Sequence, residues 1–141
     1  MSAALLVALC CTGVLLLTTA YFFLGAVPLL TLRHDTPMDA RFVHGFFNPY
    51  YLAAMGIAAA TAASYALAGR PALALEATTF AVLAALLRRA VLPRMAVLQA
   101  RVEAGETGVA SSFRRIHTTA LLVNLAQLVA IVWTLIAVSM P

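Results

Sequence analysis

The three histidines of this chain are the residues best suited to catalysis or metal binding, and they share a position in the hydrophobic pattern. His34 follows the first apolar run, His44 precedes the second, and His117 begins the fourth. Imidazole titrates near neutral pH, so a histidine can act as an acid or as a base. It is also a ligand for zinc, copper and iron. The histidines therefore mark one end of the apolar runs as the candidate site.

Helical spacing joins two of these histidines to asparagines and arginines. Arg41, His44, Asn48 and Tyr51 form one stripe, and Arg114, His117 and Asn124 form another. Side chains three, four or seven residues apart share a helix face. Polar side chains of a membrane helix point into the bundle rather than toward lipid. The two stripes are therefore predicted to enclose a shared pocket.

This pocket predicts a role for each polar group. His44 and His117 would be the acid and base or the metal ligands, Asn48 and Asn124 would orient the substrate, and an anionic group would bind Arg41 or Arg114, with Tyr51 also in contact. A metal site would hold copper or iron on His34, His44 and His117, and two histidines could instead ligate haem. The alternative is that the histidines lie at the membrane interface and bind headgroups, carboxylates or helix ends.

The elements that position these residues are long apolar segments. The chain has 141 residues, of which 64% are hydrophobic and 10% charged, whereas soluble domains have about 25% charged residues. A membrane-spanning helix needs about 20 apolar residues. The pattern predicts an all-α, single-domain bundle of four transmembrane helices in a lipid bilayer, at about residues 3–32, 37–68, 71–92 and 112–139.

Prolines define two boundaries of these helices. Pro93 is predicted to end the third helix, because proline lacks a backbone donor. Arg94 to Glu103 would then form a short amphipathic helix on the cytoplasmic membrane surface. The second helix either begins near Pro37 and is kinked at Pro49, or begins at Pro49 after a separate interfacial helix.

The arginines predict the orientation of the bundle. Eight of the nine basic residues lie in or close to the connections between the first and second helices and between the third and fourth, whereas the opposite end has Arg70. Cytoplasmic loops of membrane proteins are enriched in such residues. The chain is therefore predicted to be a multi-pass cell-membrane protein with these loops in the cytoplasm and both termini outside. The arginines lie at helix ends beside lipid headgroups, so a nucleic-acid partner is not expected.

Two further features have competing interpretations. Aromatic residues around Pro49 predict either an interfacial belt or the wall of a pocket for a flat hydrophobic substrate. Glu76, near the outer end of the third helix, is either functional or stabilised by the helix dipole and by Arg70.

The segments Phe113–Leu125 and His44–Tyr51, together with Gly13, Gly25 and Val27-Pro28-Leu29, carry a family resemblance. They resemble a broad group of small four-helix integral membrane proteins, which includes uncharacterised transmembrane proteins and anthrone oxygenase-like proteins. The resemblance implies a four-helix membrane fold and raises the expectation of an oxygenase.

The leading functional interpretation is an oxygenase-like or other redox enzyme that acts on a hydrophobic small molecule from the membrane. The alternative is a non-enzymatic accessory subunit or a small transporter, in a membrane complex or as a homo-oligomer formed through the alanine-rich second helix.

Overall fold

The structure, a computed structural model, describes residues 2–31, 36–106 and 108–139. Within these residues the chain forms four α-helices and no strand: α1 (Ala3–Leu29), α2 (Pro37–Leu67), α3 (Pro71–Glu103) and α4 (Val109–Ser139). The predicted all-α class is confirmed. Three segments of the described residues are long and apolar enough to cross a membrane, namely Ala3–Leu29, Arg41–Leu67 and Val109–Val138.

Capping residues explain where α1 and α2 begin. The Ser2 hydroxyl accepts a hydrogen bond from the amide of Leu5, and the Thr36 hydroxyl accepts one from the amide of Asp39. Pro37 then occupies the first turn of α2, where a missing amide donor costs nothing. α2 continues through Pro49 as one helix. The structure thus places the start of the second helix at Pro37, the first of the two alternatives.

α3 is longer than predicted, and the prediction that Pro93 ends it is wrong. The buried side of the helix continues without a break from Val91 to Met95, Leu98 and Val102. These spacings of four, three and four residues keep one helix face against the core. Packing along this face offsets the hydrogen bond that Pro93 removes. The separate amphipathic helix predicted for residues 94–103 is therefore the last part of α3.

α4 also begins earlier than predicted, at Val109 rather than near Ser112. Val109 and Phe113 are buried in the same hydrophobic cluster as Met95 and Val102 of α3, which stabilises the additional turn. A short turn precedes it, in which Gly105 has a φ of +76°, a value that strongly favours glycine.

α2 has the most extensive contacts in the bundle, first with α3 and then with α1, while α4 packs against α1 and α3. The small residues along α2 account for this, because they let neighbouring helices approach closely. The helices are arranged in chain order around the bundle. α2 and α4 meet across it through long side chains of the core, which form the candidate site.

Three helices are much longer than the hydrocarbon core of a membrane. α2 and α4 have 31 residues each and α3 has 33, so at 1.5 Å per residue all three exceed about 45 Å, against a hydrocarbon core of about 30 Å. The arginine-bearing ends of α2 and α3 lie together, since Arg41 at the start of α2 forms an ion pair of 3.3 Å with Glu103 at the end of α3.

Candidate functional site

An aromatic cluster fills the centre of the bundle between α1 and α2. Phe22 of α1 stacks on Tyr50 with ring centroids 3.6 Å apart and on Phe46 at 5.2 Å, and it meets Phe47 edge-on at 4.9 Å. Tyr51 completes the cluster, with its ring centroid 5.3 Å from that of Tyr50. The spacing of Phe47, Tyr50 and Tyr51 places all three on the core face of α2. These three side chains therefore face the core of the bundle, where they form one wall of the candidate site.

Two polar side chains of α4 enter this cluster. His117 and Asn124 are fully buried. The Tyr50 hydroxyl donates a hydrogen bond of 2.8 Å to Asn124 Oδ1, and Asn124 Nδ2 donates one to the carbonyl of Ala120. Thr19 of α1 is a further polar neighbour of the Tyr50 hydroxyl. The Asn124 amide is thus held in a fixed orientation.

His117 and Tyr51 flank the same aromatic ring. The imidazole of His117 meets Phe47 edge-on at 5.4 Å, and the ring of Tyr51 lies 5.9 Å from Phe47. The Tyr51 hydroxyl is buried near Asn124, yet it makes no hydrogen bond to any residue that the structure describes. A buried hydroxyl without a hydrogen bond is costly. It therefore offers a ready partner to a bound polar group or a water molecule.

The predicted site residues separate into two groups. His117, Asn124 and Tyr51 lie in the cluster around Phe47. Asn48 instead accepts hydrogen bonds at 3.3 and 3.2 Å from the Arg88 guanidinium of α3. His44, one turn earlier on the same side of α2 as Asn48, is partly exposed.

The remaining predicted residues lie toward the arginine-bearing end or outside the described part. Arg41 is paired with Glu103, and Arg114 is exposed on α4. His34, one ligand of the predicted three-histidine metal site, lies outside the described residues. Within residues 2–31, 36–106 and 108–139, no three His, Cys, Asp or Glu side chains are grouped so as to hold a metal ion.

Phe22 and Thr19 belong to the cluster but were not predicted as site residues, and Tyr50 was predicted only as one of the aromatic residues around Pro49. Their burial follows from spacing: Thr19, Phe22 and Ala26 are buried on α1 at steps of three and four residues. That periodicity was available in the sequence. Which face of an almost uniformly apolar helix is buried, however, is decided by its neighbours.

The site combines a buried imidazole, an oriented amide and a buried tyrosine hydroxyl beside stacked aromatic rings. An imidazole can accept or donate a proton, and an amide held in this way can bind an oxygen atom. No protein-family model, curated protein or solved structure matches the chain.

Proposed function

We propose that the chain is an integral membrane protein in which all four helices cross the bilayer. The three long apolar segments support this, and so does the close packing of α3 against α2. Arg88 lowers the hydropathy of α3, but its guanidinium is hydrogen-bonded to Asn48 within the bundle. Pro71–Leu92 would span the membrane, and the last part of α3 would extend beyond it on the cytoplasmic side.

In this proposal both termini lie outside the cell and the arginine-rich connections lie in the cytoplasm. The charge asymmetry between the two ends supports it. Single cysteines test it in a variant that lacks Cys10 and Cys11. An impermeant maleimide should label Arg70→Cys on intact cells and Glu106→Cys only after permeabilisation. The reverse pattern would overturn this orientation.

The cluster around Phe47 is, in our proposal, the site of an oxygenase-like enzyme that acts on a planar hydrophobic molecule. The observation that carries this proposal is the full burial of His117 and Asn124 beside the Tyr51 hydroxyl. Polar groups at such depth in a membrane bundle are costly and are therefore typical of functional sites. The resemblance to anthrone oxygenase-like proteins adds the expectation that the reaction is an oxidation.

Each group then has a role in a proton transfer. Asn124, oriented by Tyr50 and Ala120, holds a carbonyl or hydroxyl oxygen of the substrate. His117 removes a proton from a carbon that is conjugated with this group, dioxygen adds to the resulting carbanion, and the imidazolium returns the proton to the peroxide that forms. Tyr51 donates a hydrogen bond to the oxygen on which negative charge develops. His44, Asn48 and the arginines Arg41 and Arg114 would act where the substrate enters.

Dioxygen uptake with anthrone as the probe substrate tests this function. The purified protein in detergent should consume oxygen faster than anthrone alone, and His117→Ala and Asn124→Ala should each lower the rate by about 100-fold or more. Thr119→Ala is the matched control, because Thr119 is exposed on α4 and its hydroxyl donates to the carbonyl of Arg115 on the same helix. If the protein oxidises neither anthrone nor related planar carbonyl compounds, the proposal is contradicted.

Metal analysis and an absorption spectrum of the same sample distinguish the versions of the mechanism. Copper, iron or haem at near-stoichiometric levels would assign His44 and His117, with His34, to a cofactor rather than to proton transfer alone. The alternative functions predict no turnover in either case. An accessory subunit would co-purify with a membrane complex, and a transporter would move a solute in proteoliposomes.

A further inference from the structure

A second polar cluster lies at the other end of the bundle, among all four helices. Glu76 of α3 accepts a hydrogen bond of 2.5 Å from the Thr134 hydroxyl of α4. The Thr12 hydroxyl of α1 and the Tyr65 hydroxyl of α2 lie 2.9 Å apart. Together with Thr61 of α2, these residues line a cavity of about 10 Å³. That volume is close to the minimum that holds one water molecule.

Half of the residues that line this cavity are apolar, and the other half carry side-chain oxygen atoms. Two of these oxygens belong to hydroxyls whose protons are already donated to the backbone. Thr12 and Thr61 donate their hydroxyl protons to the carbonyls of Ala8 and Ile57. Because the Thr12 proton is used in this way, the Tyr65 hydroxyl is the donor in its contact with Thr12. A threonine or tyrosine oxygen keeps lone pairs after its proton has been donated. The cavity therefore offers lone pairs that can coordinate a cation or accept hydrogen bonds from a water molecule.

The charge of Glu76 is not balanced by an arginine in this cavity. Both ion pairs formed by the described residues, Arg41–Glu103 and Arg101–Glu106, lie at the opposite end of the bundle. Arg70 lines a separate outer pocket with Gly69 and Pro71. A carboxylate within a membrane bundle is costly unless a positive charge accompanies it. A monovalent cation would neutralise Glu76, whereas a divalent ion would leave an excess positive charge.

We propose that Glu76, Thr134, Thr61, Tyr65 and Thr12 form a sodium-binding site at the outer end of the bundle. Hard cations prefer oxygen ligands, and sodium is the monovalent cation that we assign to this cavity. The site contacts α1, α2, α3 and α4, so the bound ion stabilises the association of all four helices. It is separate from the cluster around Phe47 and does not depend on the function proposed for that cluster.

Thermal unfolding of the purified protein, followed by circular dichroism, tests this site at constant ionic strength. Replacing choline chloride with sodium chloride should raise the Tm, because a ligand that binds the folded state stabilises it, and potassium should raise it less. Binding of radiolabelled sodium should saturate at one ion per chain. Equal Tm values in sodium, potassium and choline would overturn the proposal.

Substitutions in the cavity lining test whether sodium binds in this cavity. Glu76→Gln, which keeps the side-chain shape, should abolish sodium binding, and Thr61→Val should raise the Kd for sodium by about tenfold. Thr61→Val keeps the test independent of whether Glu76→Gln folds. Thr78→Val is the matched control, because Thr78 is exposed on α3 and bonds to the carbonyl of Ala74. Sodium binding that persists in Glu76→Gln would overturn the site. A parent protein whose Tm responds to pH but not to sodium would overturn it as well.

Discussion

The Tyr50 hydroxyl donates a hydrogen bond to Asn124 Oδ1 across the bundle, and this contact ties α2 to α4. Side chains that hydrogen-bond between membrane helices contribute about 0.6 kcal/mol on average, with a maximum near 1.7 kcal/mol. The bond also fixes the Asn124 amide, to which we assign substrate orientation. The pair is thus expected to matter for stability and for activity.

Tyr50→Phe should lower the free energy of unfolding by about 0.6 to 1.7 kcal/mol, because the Asn124 oxygen loses its donor while the ring stack on Phe22 is kept. A double-mutant cycle with Asn124→Leu, measured by denaturant unfolding in detergent, isolates the pairwise contribution. Tyr21→Phe is the control, since Tyr21 is exposed on α1. Additive effects of the two changes would contradict a direct contribution from this bond.

Gly25 is expected to be intolerant of a side chain. A Cβ atom at this position would lie 2.7 Å from Cζ of Phe46, whose ring is held by stacking on Phe22. Gly25→Ala should therefore cost about 1–3 kcal/mol. Gly13→Ala on the same helix meets no atom within 4 Å and should be neutral or stabilising by up to about 1 kcal/mol.

Phe46→Leu should remove most of the cost of Gly25→Ala if the ring causes it. The Tm values of the two single variants and of the double variant test this. A cost for Gly25→Ala that is unchanged in the Phe46→Leu background would show that another part of the structure resists the added methyl group.

Periodicity in the sequence predicted part of the site but not all of it. His117 and Asn124 are seven residues apart, so they must share a face of α4 wherever that helix lies. Helical spacing sets no such constraint between Asn48 of α2 and His117 of α4, because α2 presents polar residues to two neighbouring helices. Asn48 binds Arg88 of α3, while Phe47 and Tyr51 face α4. The contact across helices, not the spacing within one, decides which residues share a site.

The same reasoning explains the misplaced end of the third helix. A proline removes one backbone hydrogen bond, and from the sequence this local cost is the visible signal. The compensation comes from the burial of Met95, Leu98 and Val102 in the hydrophobic cluster that also contains Phe113 of α4. Because that gain depends on a partner helix some twenty residues away, local propensity could not predict it.

Glu103 should titrate below its ordinary range. The hydrogen bond from Gln99, and then the one from Arg41, lower the pKa of this exposed carboxyl. A lowered folded-state pKa stabilises the fold at pH values above the unfolded pKa, and this contribution is lost as the pH falls through the folded pKa. Chemical-shift titration of carboxyl-labelled glutamate measures the pKa directly.

Gln99→Leu should raise the pKa of Glu103 toward its ordinary value, and Arg41→Gln should also raise it. Added salt should reproduce the effect of Arg41→Gln, because it screens exposed charges, but not that of Gln99→Leu. Glu106, which pairs with Arg101 instead, is the internal reference for effects on the protein as a whole. If the pKa of Glu103 is unchanged in both variants, the contact between the ends of α2 and α3 is excluded.

Arg88 and Asn48 should depend on each other for stability, because a guanidinium within a membrane bundle needs a hydrogen-bond acceptor. Asn48→Leu removes the oxygen that accepts from Nε and Nη2 of Arg88, at a cost of about 1.5–3 kcal/mol. Arg88→Leu in the same background should recover much of this cost, since the unsatisfied charge is removed as well. Denaturant unfolding of the two single variants and the double variant measures the coupling. If Asn48→Leu leaves the free energy of unfolding unchanged, the Arg88 guanidinium lies in water. That result would exclude the proposed span of α3 through Leu92.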